Sequence, residues 1–210
     1  MYIIPRANKI VNELNKLVAY CVDSDVITMD VKPYVMVQLR QLTLGDKFID
    51  STGKVFRIRQ ITDADLKAKV QPRMIEFNNF ILRLEVPTLV KDRTVNGQLL
   101  VELGNFKKNL SDEDYGKVAD LYNVYELIKY ITEIELNGDV FDFERCPVNK
   151  KMKIVNSLPQ RVINEINEYI DSVKEHEDKA LQAIDEETGE TTTMDMTTLF
   201  FTKHARNTNE

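Results

Sequence analysis

Ser51 and Lys54 have the Ser-x-x-Lys spacing of acylating serine enzymes, and Gly53-Lys54 has the look of part of a phosphate loop. The serine enzymes also need Ser-Asp-Asn and Lys-Thr-Gly elements, which the sequence lacks. A phosphate loop needs four residues between its glycines, whereas seven separate Gly45 from Gly53. We therefore predict a hairpin turn here, without catalysis.

The two histidines do not form a metal site or a catalytic dyad. His176 stands between Glu175 and Glu177 on a charged helix, and His204 lies in a polar tail, so neither has a second ligand at a suitable spacing. Both are predicted to be solvated. The acidic run 185–187 lacks the calcium-loop pattern and is interpreted as a soluble turn.

An enzyme with dispersed carboxylates remains the alternative from a different class. Glu76, Glu85 and Glu102 fall in segments that read as strands, and would be its catalytic groups. Side chains alternate along a strand, however, and such positions usually point outward, with no base, nucleophile or metal ligand converging on them. We predict no catalytic residue, no cofactor and no metal.

Composition favours a globular protein that binds other proteins. The chain has 210 residues, of which 43% are hydrophobic and 30% charged, with a net charge of -6. This length can bury a core without disulfides, and the negative charge argues against a nucleic-acid binder, which needs a basic face.

Compartment is predicted from the cysteines and the N-terminus. Cys21 and Cys146 are far apart and fit a reducing compartment. Cys146, before Pro147, is either a small buried residue or a reactive thiol. Pro5 and Arg6 interrupt any signal-peptide core, and no apolar run reaches the about 18 residues of a membrane span. We expect a protein of the cytoplasm.

Patterning predicts an α+β fold in which helices flank a small, mainly antiparallel sheet. Residues 1–45 are predicted to form a helical pair and residues 46–104 a β-rich segment, including a strand at 99–103 after the turn signal Asn96-Gly97. Residues 105–184 are predicted to be helical and 185–210 to be a polar tail, in which residues 185–193 would form a polar hairpin or a flexible segment. Residues 1–184 would form one compact domain.

The helical segment 105–184 has two predicted helices. The first starts at a capping box formed by Ser111 and Asp114 and stops at Asn137-Gly138. The second starts near Pro159. The segment between them, FDFERCPVNKK, is interpreted as a connector rich in turns.

The segment 32–48 predicts a docking helix. Pro33 suits its first turn, and Gly45 suits the left-handed conformation that ends a helix. Val35, Leu39 and Leu42 form an apolar stripe, and Arg40 lies on a different side.

Several motifs, in this order, resemble the baseplate hub proteins and hub-assembly factors of T-even-like contractile-tailed bacteriophages. They are Leu39-Arg40 before the turn Leu42-Thr43-Leu44-Gly45-Asp46, the segment 75–89 with its apolar-Pro87-Thr step, Ser157-Leu158-Pro159, and Leu199-Phe200-Phe201. Together they span roughly residues 3 to 202. The residues that carry the resemblance, and that would serve in interaction, are Leu39, Arg40, Leu42, Gly45, Asp46, Pro87, Pro159, Phe200 and Phe201.

The resemblance implies a compact member of this family, closer to the smaller hub subunit than to the longer assembly catalyst. It would be a non-enzymatic late tail protein, either a baseplate hub component or a chaperone-like factor for hub assembly. Its partners would be other phage baseplate hub or tail proteins, without nucleic acid. It would act in the host cytoplasm during virion assembly or stay in the virion baseplate.

For two sets of aromatic residues, the sequence leaves open whether they are buried or bind a partner. Tyr115, Tyr122, Tyr125 and Tyr130 would either pack in the core or contribute to an interface. Adjacent exposed phenylalanines are an association hazard, so the pair at 200–201 would either fold back onto its own domain or dock onto a partner.

Overall fold

The computed structural model describes residues 16, 20, 26–50, 52–106, 111–195 and 203–204. In these residues the helices are α1 (Lys32–Leu44), α2 (Asp63–Lys67), α3 (Leu89–Leu103), α4 (Asp112–Tyr130), α5 (Val148–Ser157) and α6 (Gln160–Ala180). The strands are β1 (Lys47–Ile49), β2 (Val55–Ile58), β3 (Arg73–Phe77), β4 (Phe80–Leu84), β5 (Ile131–Leu136), β6 (Asp139–Asp142), β7 (Gln182–Asp185), β8 (Thr191–Thr193) and β9 (Lys203–His204). The predicted α+β class is confirmed.

The chain divides into two compact units. The first consists of Met1–Met29 with Gln71–Asp171, and the second of Asp30–Val70 with Ser172–Glu210. Each unit has its own antiparallel sheet, with strand order β3-β4-β5-β6 in the first and β8-β7-β2-β1-β9 in the second. Helix α6 contributes to both units because the boundary falls within it.

The sheet of the first unit has one face turned to the core. Ile75 on β3 lies opposite Leu82 on β4, which in turn lies opposite Ile134 on β5. Ile75 and Leu82 are buried, and because side chains alternate along a strand, their neighbours Met74 and Arg83 are on the other face, where both are exposed.

Side-chain caps start two helices of the first unit, α3 and α4. The Thr88 hydroxyl accepts the Lys91 N–H at 3.2 Å at the start of α3. At the start of α4, the Ser111 hydroxyl accepts the Asp114 N–H at 3.2 Å, and the Asp114 carboxylate accepts the Ser111 N–H at 3.3 Å. The predicted capping box is therefore confirmed.

The second unit combines α1, α2 and its sheet. The rings of Phe48 and Phe56, opposite each other on β1 and β2, stack with centroids 5.4 Å apart. β7 and β8 pair as an antiparallel hairpin, which confirms the hairpin among the alternatives predicted for the polar segment. Met36, Val37 and Ile58 are buried inside this unit.

Residues 99–103 are helical, so the predicted strand there is wrong. The turn signal Asn96-Gly97 lies inside α3, whose buried residues follow a helical repeat through Leu89, Val95 and Leu99. Asn96 is itself buried and donates from its side-chain nitrogen to Asp92 Oδ2 at 2.9 Å, one helical turn earlier. This bond and the periodic apolar face outweigh the local preference of Asn-Gly for a turn.

Asn137-Gly138 does not stop a helix. α4 ends at Tyr130, the chain continues directly as β5, and Asn137 (φ 54°) with Gly138 (φ 89°) forms the two-residue turn to β6. Two consecutive positive φ values are typical of the type I′ hairpin turn, for which Asn-Gly is the favoured pair. The connector predicted between the two helices also contains part of α5, which the sequence analysis missed.

Two predictions fall on residues that the structure does not describe. The N-terminal helix of the predicted pair lies outside the described residues except at Lys16 and Tyr20, which are helical. Phe200 and Phe201 also lie outside them. Whether this pair folds back or docks therefore stays a prediction.

Candidate interaction surface

The predicted turn near Ser51 is confirmed in its described part. Ser51 itself is not described, but the Asp50 carboxylate accepts the Thr52 N–H at 2.8 Å and the Lys54 N–H at 3.0 Å between β1 and β2. The Lys54 ammonium binds Asp185 at 3.2 Å. These bonds hold a hairpin turn and leave Lys54 bound to a carboxylate of its own unit.

His176 is placed differently from the prediction. It is half-buried, its ring centroid lies 5.0 Å from that of Tyr34, and its carbonyl oxygen accepts the Tyr34 hydroxyl at 2.8 Å. The interpretation as a solvated histidine is therefore wrong, because α1 packs its tyrosine against this side of α6. The side chain of His204 is not described.

The three dispersed carboxylates lie on different elements. Glu76 is on β3, Glu85 follows β4 and accepts the Arg83 Nε–H at 2.8 Å, and Glu102 is on α3. Within the described part of the chain, no group of three or more His, Cys, Asp or Glu residues is arranged to hold a metal ion.

The stripe predicted for α1 is displaced by one residue. Met36, Val37 and Arg40 are buried at helical spacing, whereas Leu39 is half-buried and Leu42 is 79% exposed. Leu42 is therefore not part of the buried face of α1, and the placement of Arg40 on a different side is wrong. An arginine occupies the buried stripe, and a hydrophobicity pattern does not select arginine.

Arg40 closes the turn after α1. Its guanidinium donates to the Gly45 carbonyl at 2.9 Å and to the Lys47 carbonyl at 3.2 Å. Burial lowers the pKa of Arg40, and nearby Asp46 opposes that shift. Gly45 has the expected positive φ (82°), but its ψ of 179° is extended rather than helical, so the chain leaves the helix directly toward β1.

The two prolines that carry the family resemblance lie in the first unit. Pro87 is buried, and its carbonyl accepts the Met29 N–H at 2.9 Å. Pro159 is half-buried at the entry to α6 and lines an apolar groove.

This apolar groove has a volume of about 340 Å³. It lies between one face of the four-stranded sheet and the segment around the α5–α6 junction. Its lining residues come from both sides and are almost all apolar: Phe80, Leu82, Ile134, Leu136, Phe141, Phe143, Cys146, Ile154, Ser157, Leu158 and Pro159. Leu136 is 42% exposed and Phe141 51% exposed at its rim.

Phe143 forms a fixed part of the groove. It is 1% exposed, its N–H donates to the Thr132 carbonyl at 2.9 Å, and the Lys151 ammonium lies 5.5 Å from its ring centroid. Lys151 also donates to the Glu144 carbonyl at 2.9 Å. Burial lowers the pKa of Lys151, and the neighbouring charge of Lys91 lowers it further.

β6 is an edge strand of the sheet, and all four of its residues are exposed. Along an antiparallel strand, the backbone N–H and C=O groups of every second residue point toward the adjacent strand. The backbone N–H of Phe143 donates to β5, so the backbone N–H and C=O of Phe141, two residues earlier, also point toward β5. The backbone N–H and C=O of Val140 and the backbone N–H of Asp142 therefore point away from the sheet. Cys146 Sγ lies 3.6 Å from the Asp142 carbonyl, which is thereby partly covered.

The sheet face opposite the groove carries an acidic depression of about 420 Å³. Four carboxylates and one arginine line it together with Thr132 and Val140: Glu85, Glu133, Asp142, Glu144 and Arg83. Arg83 lies 2.8 Å from Glu85 and 3.7 Å from Glu133. The β5–β6 hairpin is therefore apolar on one face and acidic on the other.

The tyrosines divide between the two interpretations. Tyr125 and Tyr130 are buried, and Tyr122 is half-buried, whereas Tyr115 is 49% exposed. The Tyr130 ring meets the Tyr169 ring edge-on at 6.1 Å between centroids. Core packing therefore accounts for Tyr125 and Tyr130.

The sequence analysis missed the groove, although a signal for half of it was present. Asn-Gly between alternating hydrophobic residues is the strongest short-range hairpin signal, and here it separates Ile134 and Leu136 from Phe141 and Phe143. The other side of the groove includes residues of α5, which follows that hairpin in the sequence and was not predicted.

The family comparison matches most of the chain. The model described as T4 bacteriophage base plate protein matches residues 5–201. No curated protein and no solved structure gives a significant match. Among the described helices, none is both long enough and apolar enough to cross a membrane.

Proposed function

The chain belongs to the T4 bacteriophage base plate protein family, and from this premise we propose that it is a non-enzymatic hub component, or a chaperone-like factor for hub assembly, in a contractile tail. It would bind other hub or tail proteins in the host cytoplasm during assembly. It would then either remain in the baseplate or leave when another subunit takes its place.

The groove beside the β5–β6 hairpin is the observation that supports binding as the mode of action. Phe141 and Leu136 expose apolar surface at the rim of a groove whose lining is otherwise almost entirely apolar. Apolar surface of this kind typically marks a protein interface. A specific complex buries a total of about 1,600 Å², so the groove would form the centre of a larger contact.

A matched pair of variants tests this proposal. Phe141→Asp places a charge in the groove rim, where the native ring is 51% exposed, and Val101→Asp places one on α3, where the native side chain is 72% exposed and outside the groove. Both should remain folded because neither site is buried. In cells infected with phage that encode each variant, only Phe141→Asp should reduce recovery of the protein with tail assembly intermediates.

The fate of the protein is tested in the same infections. A hub component should be found by mass spectrometry in purified mature virions in constant ratio to other baseplate proteins. An assembly factor should be found with intermediates and be missing from virions. If the native protein joins neither, the proposed function is wrong.

A further inference from the structure

We propose that β6 accepts an additional β-strand from a partner protein, and that this strand carries apolar residues on one face and basic residues on the other. The proposal rests on the proposed function for the existence of a partner and specifies how that partner would bind. Its evidence is the backbone of β6 and the opposite character of the two faces beside it.

The backbone of β6 has the geometry needed to extend the sheet. β5 pairs with one edge of β6, from Glu133 opposite Asp142 to Leu136 opposite Asp139. The N–H and C=O of Val140 and the N–H of Asp142 point to the other edge. A partner residue opposite Val140 would therefore exchange two backbone hydrogen bonds with it, as in other complexes that form by strand addition.

The apolar side chains on the groove face determine which residues the added strand should carry on that face. Phe141 lies on the groove face, in register with Ile134, so a partner residue that points to this face would extend the apolar surface of the groove. An aliphatic or aromatic side chain there would cover the exposed half of the Phe141 ring. Such cross-strand apolar pairs stabilise a sheet.

The charges on the opposite face of the sheet determine which residues the added strand should carry on its other face. Val140 and Asp142 lie on this face, in register with Glu135 and Glu133. Ion pairs tie Lys91 to Glu144 at 2.6 Å and Arg145 to Asp142 at 2.9 Å. The carboxylates here are Glu85, Glu133, Glu135, Asp142 and Glu144, and the nearby cations are Arg83, Lys91, Arg145 and Lys151. Five carboxylates against four cations leave an excess of one negative charge, which favours lysine or arginine in the partner.

The same charges disfavour a second copy of this chain as the occupant. Two antiparallel β6 strands paired edge to edge would place the acidic faces of the two copies side by side, so that the excess negative charge of one would lie beside that of the other. Such a juxtaposition of like charges disfavours an interface. A basic strand from a different protein is therefore the occupant that the geometry favours.

Backbone and charge are tested separately with the full-length protein. The probe is a fluorescein-labelled peptide of alternating lysine and valine, nine residues long, and its twin has glutamate in place of lysine. The lysine peptide should bind, as measured by fluorescence anisotropy, at least about tenfold more tightly than its twin. Hydrogen exchange of the Val140 and Asp142 amides should slow in its presence.

Val140→Pro removes one outward N–H, whereas the matched control Val140→Ala retains it. Proline is tolerated on edge strands where the N–H faces solvent. The proline variant should lose about tenfold or more in affinity for the lysine peptide, and the alanine variant should bind nearly as the native protein does. Equal binding by the proline variant, or no binding of the lysine peptide to the native protein, would overturn the proposal.

A second variant tests the charges without altering the backbone. Glu133→Lys combined with Asp142→Lys should reverse the preference, so that the glutamate peptide binds more tightly than the lysine peptide. An unchanged preference would contradict the assignment of the acidic face. Dimerisation of the native protein that Val140→Pro abolishes would show that a second copy occupies the edge, and would also overturn the proposal.

The infection assay separates this inference from the proposed function. If Val140→Pro joins tail intermediates as well as Val140→Ala does, strand addition is wrong while the tail role stands. If the native protein does not join them, the tail role itself is wrong. If only Val140→Pro is lost from the intermediates, both proposals are supported.

Discussion

Arg40 is the residue on which the end of α1 most depends. It is fully buried, and it donates to the carbonyls of Gly45 and Lys47. Arg40→Met would keep much of the aliphatic volume but leave both carbonyls without this donor. A hydrogen bond to a charged group contributes about 1.5–3 kcal/mol, and because Gly45 is itself exposed, we expect a loss of about 2–4 kcal/mol in the free energy of unfolding for the two bonds together, measured with urea.

Leu42→Asp is the control for that variant on the same helix. Leu42 is 79% exposed, and exposed substitutions usually change stability by less than about 0.5 kcal/mol. A loss with Leu42→Asp as large as that with Arg40→Met would contradict the burial assigned to these two residues.

Asp65 makes stability depend on pH at the start of α2. The hydrogen bond from Arg59, at 2.6 Å, and those from Thr62 lower the pKa of Asp65 from 3.8 to about 2. A carboxyl group with a lowered folded pKa stabilises the fold above its unfolded pKa, and this contribution is lost as pH falls through the folded value. Asp65→Asn should therefore be less stable than the native protein at pH 5, and the difference should shrink between about pH 4 and pH 2.

Carboxyl NMR provides an independent check of Asp65. Its titration midpoint in the folded protein should be near 2. A midpoint near 3.8, or a stability difference that does not vary over the acidic range, would contradict the role given to Arg59.

At the scale of elements, one buried ion pair links α3 to α4. Lys129 Nζ lies 3.0 Å from Asp92 Oδ1 and 2.8 Å from Glu126 Oε2. Burial alone would lower the pKa of Lys129, but Glu126 and Asp92 outweigh it and raise the pKa, which keeps the ammonium charged. Removal of Lys129 would take the cation from the buried carboxylate of Asp92, whereas removal of Asp92 would leave Lys129 paired with Glu126.

A double-mutant cycle tests this link. Lys129→Met should destabilise the protein by about 3–5 kcal/mol, because it removes the cation bound to the buried carboxylate of Asp92, whereas Asp92→Leu should cost less, because Lys129 keeps its ion pair with Glu126. The double variant should lose less than the sum of the two, with a coupling of about 0.5–3 kcal/mol measured by urea unfolding. Additive losses would show that Asp92 and Lys129 do not depend on each other.

Elements whose ends depend on neighbouring residues could be predicted from the sequence. The box formed by Ser111 and Asp114 starts α4, and Gly45 ends α1, because capping bonds span only a few residues. Arg40 could not be predicted as buried, since its bonding partners are the carbonyls of Gly45, just after α1, and of Lys47, on β1, and hydrophobic periodicity excludes a charged side chain from the core.

The predicted type of an element was wrong where a local signal in the sequence competed with contacts to more distant residues. Asn96-Gly97 and Asn137-Gly138 are the same dipeptide, yet the first lies within α3 and the second forms a hairpin turn. The side chain of Asn96 bonds to Asp92, whereas Asn137 donates its N–H to Asn79 at 3.0 Å, on the neighbouring hairpin. Only the fold distinguishes them, and for the same reason only the half of the groove that lies on the β5–β6 hairpin had a signal in the sequence.

At the scale of the whole molecule, the net charge of -6 provides a final test of how a partner approaches. If a basic strand adds to β6, exposed carboxylates near that edge should raise its association rate. Added salt should lower this rate, because the electrostatic screening length falls from about 30 Å at 0.01 M to about 3 Å at 1 M. Stopped-flow mixing with the lysine peptide should show a falling association rate and a nearly constant dissociation rate. Glu133→Gln should flatten this dependence, whereas Glu113→Gln, which changes net charge equally but lies on α4 in an exposed pair with Lys117, should not. Equal effects of the two variants would show that total charge, and not the face beside β6, guides the encounter.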